Sequence, residues 1–485
     1  GGLRVEGLGA VAVETFSGVT SLSVLQRAIF SLYGRHSDPS WPNHTLPTLQ
    51  RLLEHDLEPD ESRDFWERVF PLIVDWASRI EDLFAPSLVV PYLCSNATGV
   101  SDGASLRPEP GAEIRRQKLE DGFIDSVAFS REQVASLLSH AFLCTIPGRD
   151  RLDDLQGFAP FSFIQLFAGE YAEFKSAKLS LLLQYFSELP PPPPLGTLQQ
   201  GRGQAAHLQL WRRQVTKSLW WESLNASLPS FVVDWEEGGL ERLPNSVQVG
   251  MSNRYPGGAP GGVLATGKMQ EPIFFAERPE LLISLLVSER LGANEALLMG
   301  GARQFGASIG VGLDVRAVKG GASKVQREVA ESQDVMQVDA IDFRKPEAPP
   351  QWSRQAIDRE LLKLYAGHSA AMMREPAECR KAVDATGNWC CDAFGGDKQL
   401  KAILQLIAAG VAGLPELKLF PSAYPWMPTP RSDLPPLALP ERLRSSAQGL
   451  YRALLAFAAQ PGDEHAKDGK LFAYLNASGP TILFE

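Results

Sequence analysis

Between Asn253 and Phe275 the chain reads NRYPGGAPGGVLATGKMQEPIFF, with four glycines and two prolines in the first ten residues. Glycine has no Cβ, so backbone can approach backbone or a ligand there, and φ > 0 is open to it. Successive N–H groups in such a loop can form a concavity for an anion. A lone acidic side chain, Glu271, follows within reach. One reading is a loop that holds a phosphate-bearing ligand, with Glu271 near the reacting end. The other is a Gly/Pro-rich surface turn with no ligand, and spacing alone does not separate the two. The full GxxxxGK[ST] arrangement is absent despite Gly267-Lys268, and so is GxGxxG, so neither a Walker loop nor a dinucleotide fingerprint is present.

A second cluster, Ala393-Phe394-Gly395-Gly396-Asp397, stands just before a helical pattern at 398–412. Free N–H groups at a helix start stabilise an anion. Two such loops at the ends of neighbouring strands would place a diphosphate between them, the edge at which open α/β sheets bind ligands. Phe394 would then cover a sugar; alternatively it is a core side chain beside a tight turn. Asp392 opposes an anion at close range, and Asp397 reads as a residue of the first helical turn.

These loops need strands and helices to hold them. Strand-like runs at 230–235, 246–252, 295–300, 335–343 and 417–421 alternate with helical patterns at 277–291, 352–373 and 398–412. That alternation predicts an α/β core with a mixed or parallel sheet over 228–425. Residues 61–227 read as a helical accessory region. It begins with an amphipathic helix at 61–84 and includes a helix opened by the capping pair Ser130 and Gln133. The five prolines 190–194 force a PPII-like segment within a linker near 190–200. Residues 196–215 read as polar and poorly ordered. An N-terminal extension (1–60) and a C-terminal Pro-rich segment, helix and tail (426–485) complete the division. His140 reads as a packed or surface histidine rather than a ligand.

The 485 residues carry a formal charge of −10 and are 44% hydrophobic. That permits a large core and argues against direct nucleic-acid binding. Five cysteines, an odd number without zinc-site spacing, point to free thiols in a reducing intracellular compartment: nucleus, cytosol or organelle matrix. The scattered histidines suggest no metal cluster, and no cofactor is expected. No apolar run reaches membrane-span length. The first residues make a poor signal peptide.

Read in order, several blocks resemble one family. They are SREQVASLLSHAFLCTIP (130–147), FSFIQLF (161–167), the GGV with its following Gln-Glu pair, ERPELLISLLVSERLGANEALLMGGARQF (277–305), VDAIDF (338–343) and ATGNWCCDAFGGDKQLKAILQLIAAG (385–410). Over most of 60–425 the chain is similar to the large eukaryotic, macrodomain type of poly(ADP-ribose) glycohydrolase. The resemblance implies a three-layer α/β/α macrodomain-like core with a mixed central sheet and added helices. It also implies hydrolysis of ribose–ribose O-glycosidic bonds in poly(ADP-ribose). By the same resemblance Asn253 and Glu271 face the ribose, Gly261, Gly262, Val263 and Gln270 belong to the glycine loop, and Phe394 lies beside the ribose. Cys391 to Gly396 match the phosphate loop.

The departures fall at the chemistry. The family's Gln-Glu-Glu reads Gln270-Glu271-Pro272 here, and the catalytic acid aligns with Pro272. Proline can neither donate nor accept the proton that glycosidic cleavage requires. It also biases Glu271 toward extended backbone. Asp392 stands where the family has glycine. Ser308 stands where the family's adenine-stacking tyrosine would be, forfeiting about 1–3 kcal/mol by analogy with base stacking. The expectation is a glycohydrolase-like protein impaired in turnover, with binding of ADP-ribose or its polymer weakened by Asp392 and Ser308. The alternatives are an active hydrolase that uses Glu271, with Glu277 as a more distant candidate, and an ADP-ribose-binding or structural subunit. Protein partners would dock through the N-terminal, 190–227 or C-terminal segments.

Overall fold

In the computed structural model of the chain, the structure describes residues 2–33, 45–94, 114–149, 157–194, 206–236, 239–258, 261–310, 312–375, 377–421, 437–444, 446–462 and 467–477. Residues 95–113, and within the expected C-terminal Pro-rich segment and tail residues 426–436 and 478–485, fall outside them.

Among the described residues nine strands form the central sheet: β1 (Arg115–Leu119), β2 (Gly122–Phe129), β3 (Leu208–Val215), β4 (Ser230–Val233), β5 (Ser246–Ser252), β6 (Glu295–Gly300), β7 (Asp334–Asp339), β8 (Val383–Thr386) and β9 (Glu416–Leu419). Their spatial order is β1-β2-β3-β6-β7-β5-β8-β9-β4. From β7 through β5, β8 and β9 to β4 all pairs are parallel. From β1 to β7 all pairs are antiparallel.

Alternation along the strands feeds two cores. Val247 and Val249 of β5, with Met336 and Val338 of β7, pack against helices α4 (Arg354–Met373), α5 (Lys398–Val411) and α6 (Ala447–Ala458). On the other face Leu297, Met299 and Val335 join α1 (Arg131–Phe142), α2 (Glu173–Glu188) and α3 (Gln270–Glu277). The result is the expected three-layer α/β/α arrangement with a mixed sheet, flanked by further helices.

Three strands lie where the sequence reading placed only helices and a disordered stretch. β1 and β2 form a hairpin within 61–227, and β3 occupies much of 196–215. Two arginines in WRRQV make β3 look solvent-facing. Both are buried: Arg212 pairs with Glu295 at 2.6 Å and Arg213 with Asp121 at 2.5 Å. β3 is bonded on both edges, so that part of 190–227 offers no free edge to a partner.

The helix expected at 61–84 is interrupted as well. A π-turn at Phe65–Val69, just before Pro71 with no N–H to give, leads into the regular helix Phe70–Ala77, and a turn at 78–79 separates that from Ile80–Phe84. The capping box of α1 forms as expected: Gln133 N–H donates to Ser130 Oγ, and Ser130 N–H to Gln133 Oε1. The proline run is non-helical, and the Trp76 indole N–H donates to the Pro190 carbonyl at 2.9 Å.

His140 on α1 is fully buried. Nε2 lies 2.9 Å from the Ala77 carbonyl, which can only accept, and Nδ1 lies 2.6 Å from the Thr145 hydroxyl. The neutral ring satisfies both, and burial pushes its pKa down to about 4. The unfolded histidine titrates near 6.5. Stability from this group is therefore present above about 6.5 and lost as pH falls toward 4. Urea unfolding at pH 5 should show a loss of about 2 kcal/mol relative to pH 7 that a folded His140→Gln variant lacks.

Candidate active site

The glycine loop leaves the C-terminal end of β5. Asn253 Oδ1 accepts the Tyr255 N–H at 2.8 Å and turns the chain into Pro256-Gly257-Gly258. Gly257 has φ 71°, and a Cβ there would stand 3.0 Å from Leu285 and 3.1 Å from Val263. Its N–H donates to the Glu271 carboxylate at 2.9 Å, and its carbonyl accepts from Val263 N–H at 2.9 Å. Gly262 O takes N–H groups from both Ala265 and Gly267, closing the loop; Gly261 is half-buried beside it.

Glu271 is the second residue of α3 and 8% exposed. The extended geometry expected before Pro272 is not found. Glu271 is helical, because the first turn of a helix tolerates proline and the carboxylate is held by Gly257. Burial pushes the Glu271 pKa well above the usual carboxylate range, and the Gly257 hydrogen bond opposes this only in part. Pro272 is buried, its ring against Gly258, where a Cβ would lie 3.3 Å from Pro272 Cγ. Behind Glu271 a cavity of about 20 Å³ is bounded by Gln248, Gly250, Gln270, Phe274 and Gln337, room for about one water. The side-chain oxygens of Gln248 and Gln337 are buried without a partner among the described residues.

The second loop leaves the end of β8, the parallel neighbour of β5. The Cys390 thiol lies 3.8 Å from the Ser252 carbonyl and ties the two strand ends together. Trp389 is buried and donates its indole N–H to Val338 O. Cys390, at φ 55°, opens a single helical turn, Cys391–Phe394, after which the N–H groups of Gly395 and Gly396 both return to the Cys391 carbonyl. Those two amides, expected to face an anion, are thus used within the turn. Phe394 is half-buried, with the Arg344 guanidinium 5.9 Å from its ring centroid. Asp392 is exposed, 3.8 Å from Lys398. Asp397 caps α5 from one position before the helix, accepting Leu400 N–H at 2.7 Å, rather than lying in its first turn.

Glu277, expected to open a following helix, is instead the last residue of α3; Arg278 breaks the run before the short turn Pro279–Leu282. Its carboxyl is pushed up to about 8 by burial and by neighbouring Glu241, against hydrogen bonds from Ser308 and the charge of Arg278. Ser308 opens a two-residue strand paired with Arg316–Ala317.

Sequence reasoning missed Lys178. This buried α2 side chain reaches three carbonyls of the glycine loop, and its one sequence signal is a lysine within the otherwise apolar face of AKLSLLLQYF. All five cysteines are free. Among the described residues no group of three or more His, Cys, Asp and Glu is placed to hold a metal, and no helix is long and apolar enough to cross a membrane.

Comparison with known proteins gives two family matches. Residues 57–202 match the helical domain of poly(ADP-ribose) glycohydrolase, and residues 219–422 match its part described as having the Macro domain fold. Poly(ADP-ribose) glycohydrolase 1 of Caenorhabditis elegans is 28% identical over 305 residues, 61% of this chain and 36% of that protein. Probable poly(ADP-ribose) glycohydrolase 2 of Arabidopsis thaliana is 26% identical over 334 residues, 61% of this chain and 62% of that protein. Poly(ADP-ribose) glycohydrolase 1 of Arabidopsis thaliana is 23% identical over 491 residues, 86% and 83% of the two chains. The first two matches thus span only about a third and three fifths of those relatives. In its helical part and in its macro domain alike, the chain is poly(ADP-ribose) glycohydrolase-like.

Proposed function

We propose that the chain is a poly(ADP-ribose) glycohydrolase-like protein that keeps the framework of an ADP-ribose site and is impaired in hydrolysis. One observation carries this reading: Pro272 follows Glu271, and the Glu271 carboxylate is turned into its own loop, holding the Gly257 N–H. Cleaving a ribose–ribose bond requires a proton for the leaving oxygen and a base for water or a nucleophile. A single buried carboxyl engaged with the backbone is poorly placed for both. Asn253, Gly261, Gly262, Val263, Gln270 and Phe394 would line the ribose side of the site, and the turn ending at Gly395 and Gly396 the diphosphate side, although the amides of those two glycines are bonded to the Cys391 carbonyl. Asp392 sets a carboxylate near where phosphates would lie, and Ser308 offers no ring for a base, so affinity for ADP-ribose is expected to be low.

A second reading, turnover with Glu271 as acid, draws on the raised pKa of that group: a carboxyl that burial makes hold its proton more tightly is better suited to donate one.

The test is release of ADP-ribose from polymer by the purified protein, with Glu271→Gln alongside. Release near background, unchanged by the substitution, is expected. An ordinary enzymatic rate abolished by Glu271→Gln would overturn the impaired reading in favour of the second. Calorimetry with free ADP-ribose decides whether the site binds, and no heat at millimolar ligand would leave a purely structural role.

A further inference from the structure

The carbonyl groups of the glycine loop converge on one ammonium. Lys178, on α2, is wholly buried. Its Nζ lies 2.6 Å from Gly267 O, 2.7 Å from Ala265 O and 3.4 Å from Gly262 O. An ammonium has three donors and no acceptor, so this arrangement uses each of them. The Phe174 ring, its centroid 5.7 Å away, closes the site from the helix side. Burying a cation among carbonyls rather than beside a carboxylate is costly, and burial together with neighbouring Lys175 pushes the Lys178 pKa well down. A buried ammonium needs three acceptors, and here Gly262, Ala265 and Gly267 of a single loop supply all of them, so the contact holds that loop as well as α2.

The loop carries the arrangement onward. Gly262 O, besides facing Lys178, takes the N–H groups of Ala265 and Gly267. The next residue, Val263, donates to Gly257 O, and Gly257 donates to the Glu271 carboxylate. A continuous path of hydrogen bonds and single peptide steps therefore runs from the helical region to the carboxyl group.

We propose that Lys178 is a positioning residue: by gathering the carbonyls of Gly262, Ala265 and Gly267 it sets the glycine loop, and through Gly257 it fixes where Glu271 stands. This rests on reading that loop as the ligand-bearing one, but its test uses no ligand. Hydrogen–deuterium exchange is followed in wild type, Lys178→Met and Lys178→Gln. Methionine keeps the length without donors, and glutamine keeps two donors on a shorter stem. Exchange at residues 257, 258 and 261–267 should rise by at least about tenfold in Lys178→Met and less in Lys178→Gln, while α5 stays as in wild type. The infrared band of a protonated carboxyl that Glu271→Gln removes should titrate at lower pH in both variants, because an opened loop admits water to the carboxyl.

A loop protected as in wild type in either folded variant would overturn the proposal. So would exchange that rises in α2 alone, or a Glu271 band that titrates unchanged. Should Lys178→Met fail to fold, Lys178→Gln decides by the same criteria. A protein that binds no ADP-ribose but loosens as described would sink only the functional reading above.

Discussion

Replacing Pro272 by glutamate is expected to raise ADP-ribose release from poly(ADP-ribose) by about 10²–10⁴-fold over the wild-type protein, the range a positioned general acid contributes. The site can take the change. Pro272 is the third residue of α3, where an acidic side chain favours the positive end of the helix dipole. Its ring lies against Gly258, which has no side chain to obstruct a longer group. The gain should be lost again in the Pro272→Glu, Glu271→Gln double variant if both carboxyls act in one mechanism. A Pro272→Gln control separates proton donation from relief of the proline ring, since glutamine restores the backbone N–H without an acid. Initial rates on polymer, normalised to folded protein by circular dichroism, check the series. No gain in Pro272→Glu would count against the missing acid as the sole cause of the proposed impairment and point to binding, where Asp392 and Ser308 are proposed to weaken the ligand.

The second large effect concerns stability. Arg212 on β3 donates to the carbonyls of Leu93, Glu289 and Arg290, to Ser288 Oγ, and to the Glu295 carboxylate at 2.6 Å. It is buried, and Glu295 is buried with it. Arg212→Met should lower the unfolding free energy by about 3–5 kcal/mol, because Glu295 keeps its charge without its cation and several carbonyls lose their donor. Gln214 and Gly292, which also donate to Glu295, soften the loss but bring no charge. Lysine cannot span so many acceptors from one point, so Arg212→Lys should recover only part of the difference. The midpoint of urea unfolding, at unchanged slope, measures it. A shift of under about 1 kcal/mol would show that the pair contributes little beyond a surface ion pair.

What could be read in advance follows from how local each signal is. β5 and β7 are short apolar runs, and Ser130 with Gln133 is a cap written within four residues, so these elements were legible. The approach of the two glycine loops stood only as a condition, because β8, the strand that the second loop follows, was not among the strand-like runs. β3 was not. Arg212 finds its partner 83 residues away, and a strand bearing WRRQ looks like surface until that partner is known. β2 hid in the same way behind Asp125, whose partner Arg116 sits on the opposite strand of the hairpin. At the candidate site the residues themselves were visible, but the covering of Glu271 was not. It depends on a contact from Gly257, fourteen positions earlier, made possible by left-handed backbone at that glycine. Lys178 was invisible for a related reason: its partners are backbone carbonyls, which leave no mark on side-chain patterns.

The place of β3 between β2 and β6 has a consequence for anyone who would divide this polypeptide. Scissors applied at the seam near residue 219 would strip the macro half of β1, β2 and β3 and bare the rim of β6 over Glu295–Gly300, six consecutive buried residues. Such a naked border recruits other copies of itself. The helical half is thus a built-in guard against self-association, and neither half is a natural unit for separate expression.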